Sequence, residues 1–211
     1  MVAEAATDGT LSLYQFTSEV ASLDEKAKAL GEPWMLVECT NQPAYLKRLI
    51  NFRPTFQPAM DEEAVLEGPV DLDQESEDGA TLHSGSPTEI TLEINVVYSK
   101  TWRCPVLFFN AWNADIGTPV CLDALKNSVR DGLPNVDLTT RTAYNMPVIA
   151  QQDHPVLGTP FYSIHPCETA TLMAEMLSNT VAADGRYLLL WLSLVGTIFH
   201  PIALVHSAYF S

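Results

Sequence analysis

A chain of 211 residues, 47% of them hydrophobic, is long enough to bury a proper core and too apolar to be wholly disordered. Its formal charge of -15 argues against nucleic acid and anionic membrane surfaces as partners, since both need clustered Lys and Arg. The cysteines Cys39, Cys104, Cys121 and Cys167 stand far apart with no CxxC pair, and no secretory leader opens the chain, so free thiols in a reducing compartment are expected.

Leu13, Phe16, Val20, Leu23, Ala27 and Leu30 recur at spacings of three and four, which predicts an amphipathic helix over 11–30, stopped by Gly31 and Pro33. Residues 34–40 read as a strand. Residues 45–52 form an ordered piece of undecided type, and the basic trio Lys47, Arg48 and Arg53 lies in or just after it. From 54 to 88 acidic residues accumulate among Gly, Ser and Pro with no Lys or Arg, the composition of a long acidic, flexible loop. Such a run either stays solvated or docks a basic partner.

Next, 90–98 alternates, with Ile90, Leu92, Ile94, Val96 and Tyr98 on one face and Thr91, Glu93, Asn95 and Val97 on the other: a half-buried strand. After a short turn over 99–103, 105–112 is a second strand, apolar on both faces, so the two form an antiparallel hairpin. Thr118-Pro119 predicts the N-cap and first position of a helix striped by Leu122, Leu125 and Val129 and closed by Gly132. Residues 141–152 read as irregular.

The chemistry is sought in 153–169. A strand over 161–164 stops at His165-Pro166, because proline cannot donate to a ladder and restricts its predecessor. Cys167 follows, before a helical run over 169–178 with Leu172, Met173, Met176 and Leu177 on one side. A thiol between a strand end and a helix start meets unpaired N–H groups and the positive end of the dipole, which favour thiolate. Cys167 is therefore read as a nucleophile, although Glu168 opposes thiolate and the plain alternative is a small buried hydrophobe. Asp153, His154 and Cys167 would make a hydrolase-like set only if folding gathered them. His165 is too close across a rigid proline to be assumed the base of Cys167, and a structural hydrogen bond near the turn is equally open to it.

The last helix is placed over 184–199 by Leu188, Leu192, Val195 and Phe199. No charged residue follows 187, so a tail anchor over 187–205 is an alternative, but Gly196, His200 and Pro201 interrupt it and a buried core helix fits better. The order of elements predicts one α+β domain over 1–211 with an antiparallel sheet, the acidic loop lying within it. No GxGxxG, GxxxxGK[ST], GxSxG or HExxH occurs, and His154, His165, Cys167, His200 and His206 lack zinc-site spacing, so neither cofactor nor metal is expected.

Three blocks then add a resemblance: Asp153-His154-Pro155-Val156-Leu157-Gly158 through His165-Pro166-Cys167-Glu168-Thr169; Val97-Tyr98-Ser99 with Pro105-Val106-Leu107-Phe108-Phe109; and Trp191-Leu192-Ser193-Leu194-Val195-Gly196. Together, over about 89–204, they resemble the E2-like autophagy conjugating enzymes of the autophagy-related protein ten family, whose relative, protein three, shares His-Pro-Cys. The resemblance implies a ubiquitin-conjugating-enzyme-like fold with antiparallel sheet and flanking helices. It implies that Cys167 takes the ubiquitin-like autophagy protein twelve as a thioester from an E1-like activator, autophagy-related protein seven. The acyl group would then pass to a lysine of autophagy protein five, in the cytoplasm or peripherally at the forming autophagosome membrane. The His-Pro-Asn motif of ordinary E2 enzymes has no counterpart before Cys167, so Tyr98 and His165 are named as substitute oxyanion donors; otherwise Tyr98 is a core-edge tyrosine. A non-catalytic adaptor on the same fold is the competing expectation.

Overall fold

Ser12 and Gln15 close a capping box that starts α1 (Leu13–Leu30), and Gly31 at φ 70° ends it. The computed structural model describes residues 8–53, 89–128, 149–178 and 186–196, with Leu204 and Tyr209. Phe16, Val20, Leu23 and Ala27 are buried as the spacing predicts. Leu13 and Leu30, in the first and last turns at the margins of that stripe, are exposed instead. Asp24 is buried in their place: its carboxylate accepts from Lys28 Nζ at 2.6 Å and from the Leu36 N–H at 3.0 Å, which ties the helix to the first strand.

The strands are β1 (Trp34–Val37), β2 (Tyr45–Phe52), β3 (Ile90–Ser99), β4 (Cys104–Asn113), β5 (Ile149–Asp153) and β6 (Pro160–Ile164). They form one antiparallel sheet in the order β1-β2-β3-β4-β6-β5, and with α2 (Leu122–Ser128), α3 (Thr169–Ser178) and α4 (Tyr187–Gly196) the class is α+β, as predicted. The piece of undecided type is β2, held on both edges, by β1 from Trp34↔Arg48 and by β3 from Leu46↔Val96 to Phe52↔Ile90.

One face of the sheet (Leu46, Ile90, Leu92, Ile94, Val96, Leu107, Phe109) forms the main core with Phe16 and Val20 of α1 and Leu188, Trp191 and Leu192 of α4. α4 is thus a core helix, and no described helix is long and apolar enough to cross a membrane. The other face of β3 is not left to water, as a half-buried strand would leave it. Glu93, Asn95 and Val97 are all buried. A second cluster of Tyr45, Val97, Val106, Phe108 and Phe161 covers that face, joined by Val156 from the β5–β6 loop. Beside it Glu93 takes Lys47 Nζ at 2.8 Å and Asn95 Nδ2 at 3.0 Å.

Two other expectations change. Pro119 does not open a helix: it bridges Trp112, and the Val120 N–H donates to the Ala111 carbonyl at 2.8 Å, so backbone pairing holds this stretch extended and α2 begins only at Leu122. Val129 and Gly132 lie outside the described residues. Within 141–152, residues from Ile149 onward are strand, since β5 pairs with β6 from Ile149↔Ile164 to Asp153↔Pro160. Lys47 and Arg48 turn to opposite faces: Lys47 pairs with Glu93, while Arg48 Nη1 donates to the Leu204 carbonyl at 2.9 Å and the guanidinium lies over Trp34. The acidic stretch 54–88 lies outside the described residues.

Candidate active site

β6 pairs with β4 through Phe108↔Ser163 and Phe109↔Tyr162, which brings its end beside the start of β4 and the β3–β4 turn. There the ladder stops. His165 is extended (φ -67°, ψ 127°), Pro166 starts a 3-10 turn over Pro166–Glu168, and α3 follows directly. Cys167 stands in the middle of that turn, half-buried and in no disulfide. Its N–H donates to His165 Nδ1 at 3.2 Å. An imidazole that accepts at Nδ1 is neutral and carries its proton on Nε2, so the ring keeps one donor.

Trp102 meets His165 edge-on, with ring centroids 5.4 Å apart and planes at 73°. It stands on the β3–β4 turn, where its N–H donates to Ser99 Oγ at 3.3 Å, and neighbouring Arg103 holds a left-handed φ of 50°. Sequence reasoning missed Trp102. The sequence offered only a large aromatic in a tight turn; the structure shows it 43% exposed, where burial would be ordinary.

Of the other candidates, Tyr98 is engaged elsewhere and Asp153 and His154 lie away from Cys167. The Tyr98 hydroxyl donates to the Leu11 carbonyl at 2.8 Å and its ring packs on Phe16, so its proton is engaged beneath α1 and is not an idle donor. Asp153 is exposed at the end of β5. His154 lies at the opposite end of β6 from Cys167, fully buried among Tyr45, Phe108 and Phe161. Its Nδ1 accepts the N–H groups of Val156 and Leu157 at 3.2 and 3.1 Å, making it the keystone of the β5–β6 loop. Folding therefore does not gather the hydrolase-like set. Burial pushes the His154 imidazole down from 6.5 to about 4, so the ring stays neutral.

Cys104 gives the contrast. It is buried, its thiol bonds to Thr169 at the start of α3, and burial pushes that thiol up to about 12. The small-hydrophobe role fits Cys104, while Cys167 is only half-buried. An open cavity of about 510 Å³ on the sheet face opposite α1, floored by Val97, Val106 and Phe108, runs past Ser163 to His165 and Pro166. A half-buried thiol on a proline-led turn, its N–H bonded to a histidine that lines the cavity, is of the kind that takes and releases acyl groups.

Residues 14–205 match the family model described as "Autophagocytosis associated protein, active-site domain", and the chain belongs to that family. It is 32% identical over 117 residues to a Dictyostelium discoideum protein named ubiquitin-like-conjugating enzyme ATG10, covering 51% of this chain and 49% of that protein. The Homo sapiens protein of the same name is 33% identical over 118 residues, covering 52% and 48%. The chain thus spans about half the length of the curated relatives it matches. A solved structure titled "Crystal structure of Autophagic E2, Atg10" is 16% identical with TM-score 0.46, over 90% of this chain and 94% of that one.

Proposed function

We propose that this protein is an E2-like conjugating enzyme that carries a ubiquitin-like protein on Cys167 as a thioester and passes it to an amine. The observation that carries the reading is the half-buried Cys167 at the strand-to-helix turn, its N–H held by His165, which with Pro166 lines the open cavity. The thiolate attacks the thioester carbonyl held by an E1-like activator; a new S–C bond forms as the activator's sulfur leaves. An acceptor lysine amine then attacks the same carbonyl, the C–N bond forms, Cys167 leaves as thiolate, and the amine's surplus proton passes to solvent. Dividing amide synthesis this way uses a sulfur that is both a good nucleophile and a good leaving group.

His165 is the oxyanion donor in this reading, through Nε2–H, and Trp102 fixes its ring. Tyr98 serves at one remove, through Leu11. The finer identities follow the resemblance: autophagy protein twelve as cargo, protein seven as activator and protein five as acceptor, at the forming autophagosome membrane. Incubation with activator, cargo and ATP tests the reading. An adduct on wild type that reducing agent removes and Cys167→Ala abolishes is expected. Absence of any adduct, with an activator shown to be loaded, would sink it and leave the adaptor.

A further inference from the structure

The segment 8–11 crosses behind the catalytic turn and grips both of its supports. Gly9 is buried with φ 72°, and a Cβ there would overlap the Ala170 carbonyl oxygen, in the first turn of α3 just past Cys167. Its own carbonyl accepts the Tyr187 hydroxyl at 2.7 Å, at the start of α4. Two residues on, the Leu11 N–H donates to the Arg103 carbonyl at 2.7 Å, while the Leu11 carbonyl accepts the Tyr98 hydroxyl. Asp8 braces the segment, accepting from the Thr10 N–H at 3.0 Å and reaching the Arg103 guanidinium at 3.7 Å.

One end of the segment therefore lies on the helix that follows Cys167. The other is bonded to Arg103, the neighbour of the Trp102 that packs on His165. Only a residue without Cβ, in a left-handed conformation, lets backbone lie against backbone at α3. We propose that residues 8–11 form a positioning strap that holds the turn 99–103 and the start of α3 in register, and so sets the direction of the Cys167 sulfur relative to His165. The proposal deepens the acyl-carrier reading and rests on it for its functional meaning. Lifting the strap uncouples the two supports and opens the Cys167 N–H···Nδ1 bond.

Gly9→Ala is the direct test, and Tyr187→Phe, which removes the bond to Gly9 without adding bulk, keeps the test valid if Gly9→Ala does not fold. Amide hydrogen exchange at Cys167 is expected to rise ~10-fold in either folded variant with exchange at Phe109, in the middle of β4, unchanged. Thioester formation should lose ~10-fold in kcat with KM for the loaded activator unaltered, as misdirected reacting groups do. Exchange at Cys167 that stays at the wild-type rate in the folded variants, or rises only in step with Phe109, overturns the strap. If wild type carries no thioester, the acyl-carrier reading falls, and the exchange result alone still decides whether the strap holds the turn.

Discussion

On the proposed reading His165 does two jobs with one ring, and substitution tests them together. Nδ1 accepts the Cys167 N–H, and Nε2–H is left for the developing oxyanion. His165→Ala removes both and is expected to slow transfer to the acceptor ~100-fold, the loss typical of one oxyanion donor. His165→Asn, which keeps a short acceptor and an amide donor, should recover part of it. Single-turnover transfer from preformed thioester measures this, and equal rates for Ala and wild type would strip His165 of its role. Cys167→Ser is expected to trap the cargo as an oxyester that survives reducing agent, because alkoxide leaves far less readily than thiolate; rapid turnover of that ester to product would contradict the expectation. The turn that holds Cys167 was legible because strand, proline, thiol and helix are consecutive in the chain. Trp102 was not, since its contact with His165 exists only after β4 and β6 pair. Tyr98 was legible as a core-edge tyrosine, but the partner of its hydroxyl was not, because nothing in a sequence says where the Leu11 carbonyl will lie.

Elements read well where one face of a period settled the matter, as in α1, β3 and α3, and less well where pairing did. β5 has the polar run Ala150-Gln151-Gln152-Asp153, and an edge strand needs no alternation to be held by its one neighbour. Pro119 read as a helix start because its local chemistry suits one, yet the bridge to Trp112 overrode the propensity. α4 shows the reverse: its apolar run was plain, but its start depends on another helix. Glu19 of α1 accepts the Leu188 N–H at 2.6 Å and also takes the Tyr187 N–H, capping α4 from outside its own sequence. Burial pushes the Glu19 carboxyl above the usual carboxylate range, and the two N–H groups oppose that rise. Glu19→Ala should therefore cost ~1–2 kcal/mol through uncapped N–H groups, while Glu19→Gln, a neutral acceptor, should change stability by less than ~0.5 kcal/mol at pH 7. Denaturant unfolding of both variants checks this, and equal losses would mean that charge, not capping, is what α4 needs.

At the scale of the molecule, helices cover one face of the sheet, and the β5–β6 loop with its keystone His154 helps cover the other. That asymmetry makes the second face sensitive to acid. Folded, His154 is held near 4 chiefly by burial, with Lys47 adding to the effect and Glu93 opposing it; unfolded, it titrates near 6.5. Between those values the unfolded chain binds the proton and the folded chain does not, so stability present above pH 6.5 is lost as the pH falls toward 4, by up to roughly 3 kcal/mol. The loss should begin at the loop, because a protonated ring can no longer accept at Nδ1 from Val156 and Leu157. His154→Asn offers an acceptor for those N–H groups but cannot titrate, so its unfolding free energy should be lower than wild type at pH 7 and converge toward it by pH 5. The comparison cancels carboxylates common to both proteins. Parallel stability curves across that window would show that the proton enters without opening the loop, and that the second face is held by its aromatic cluster alone.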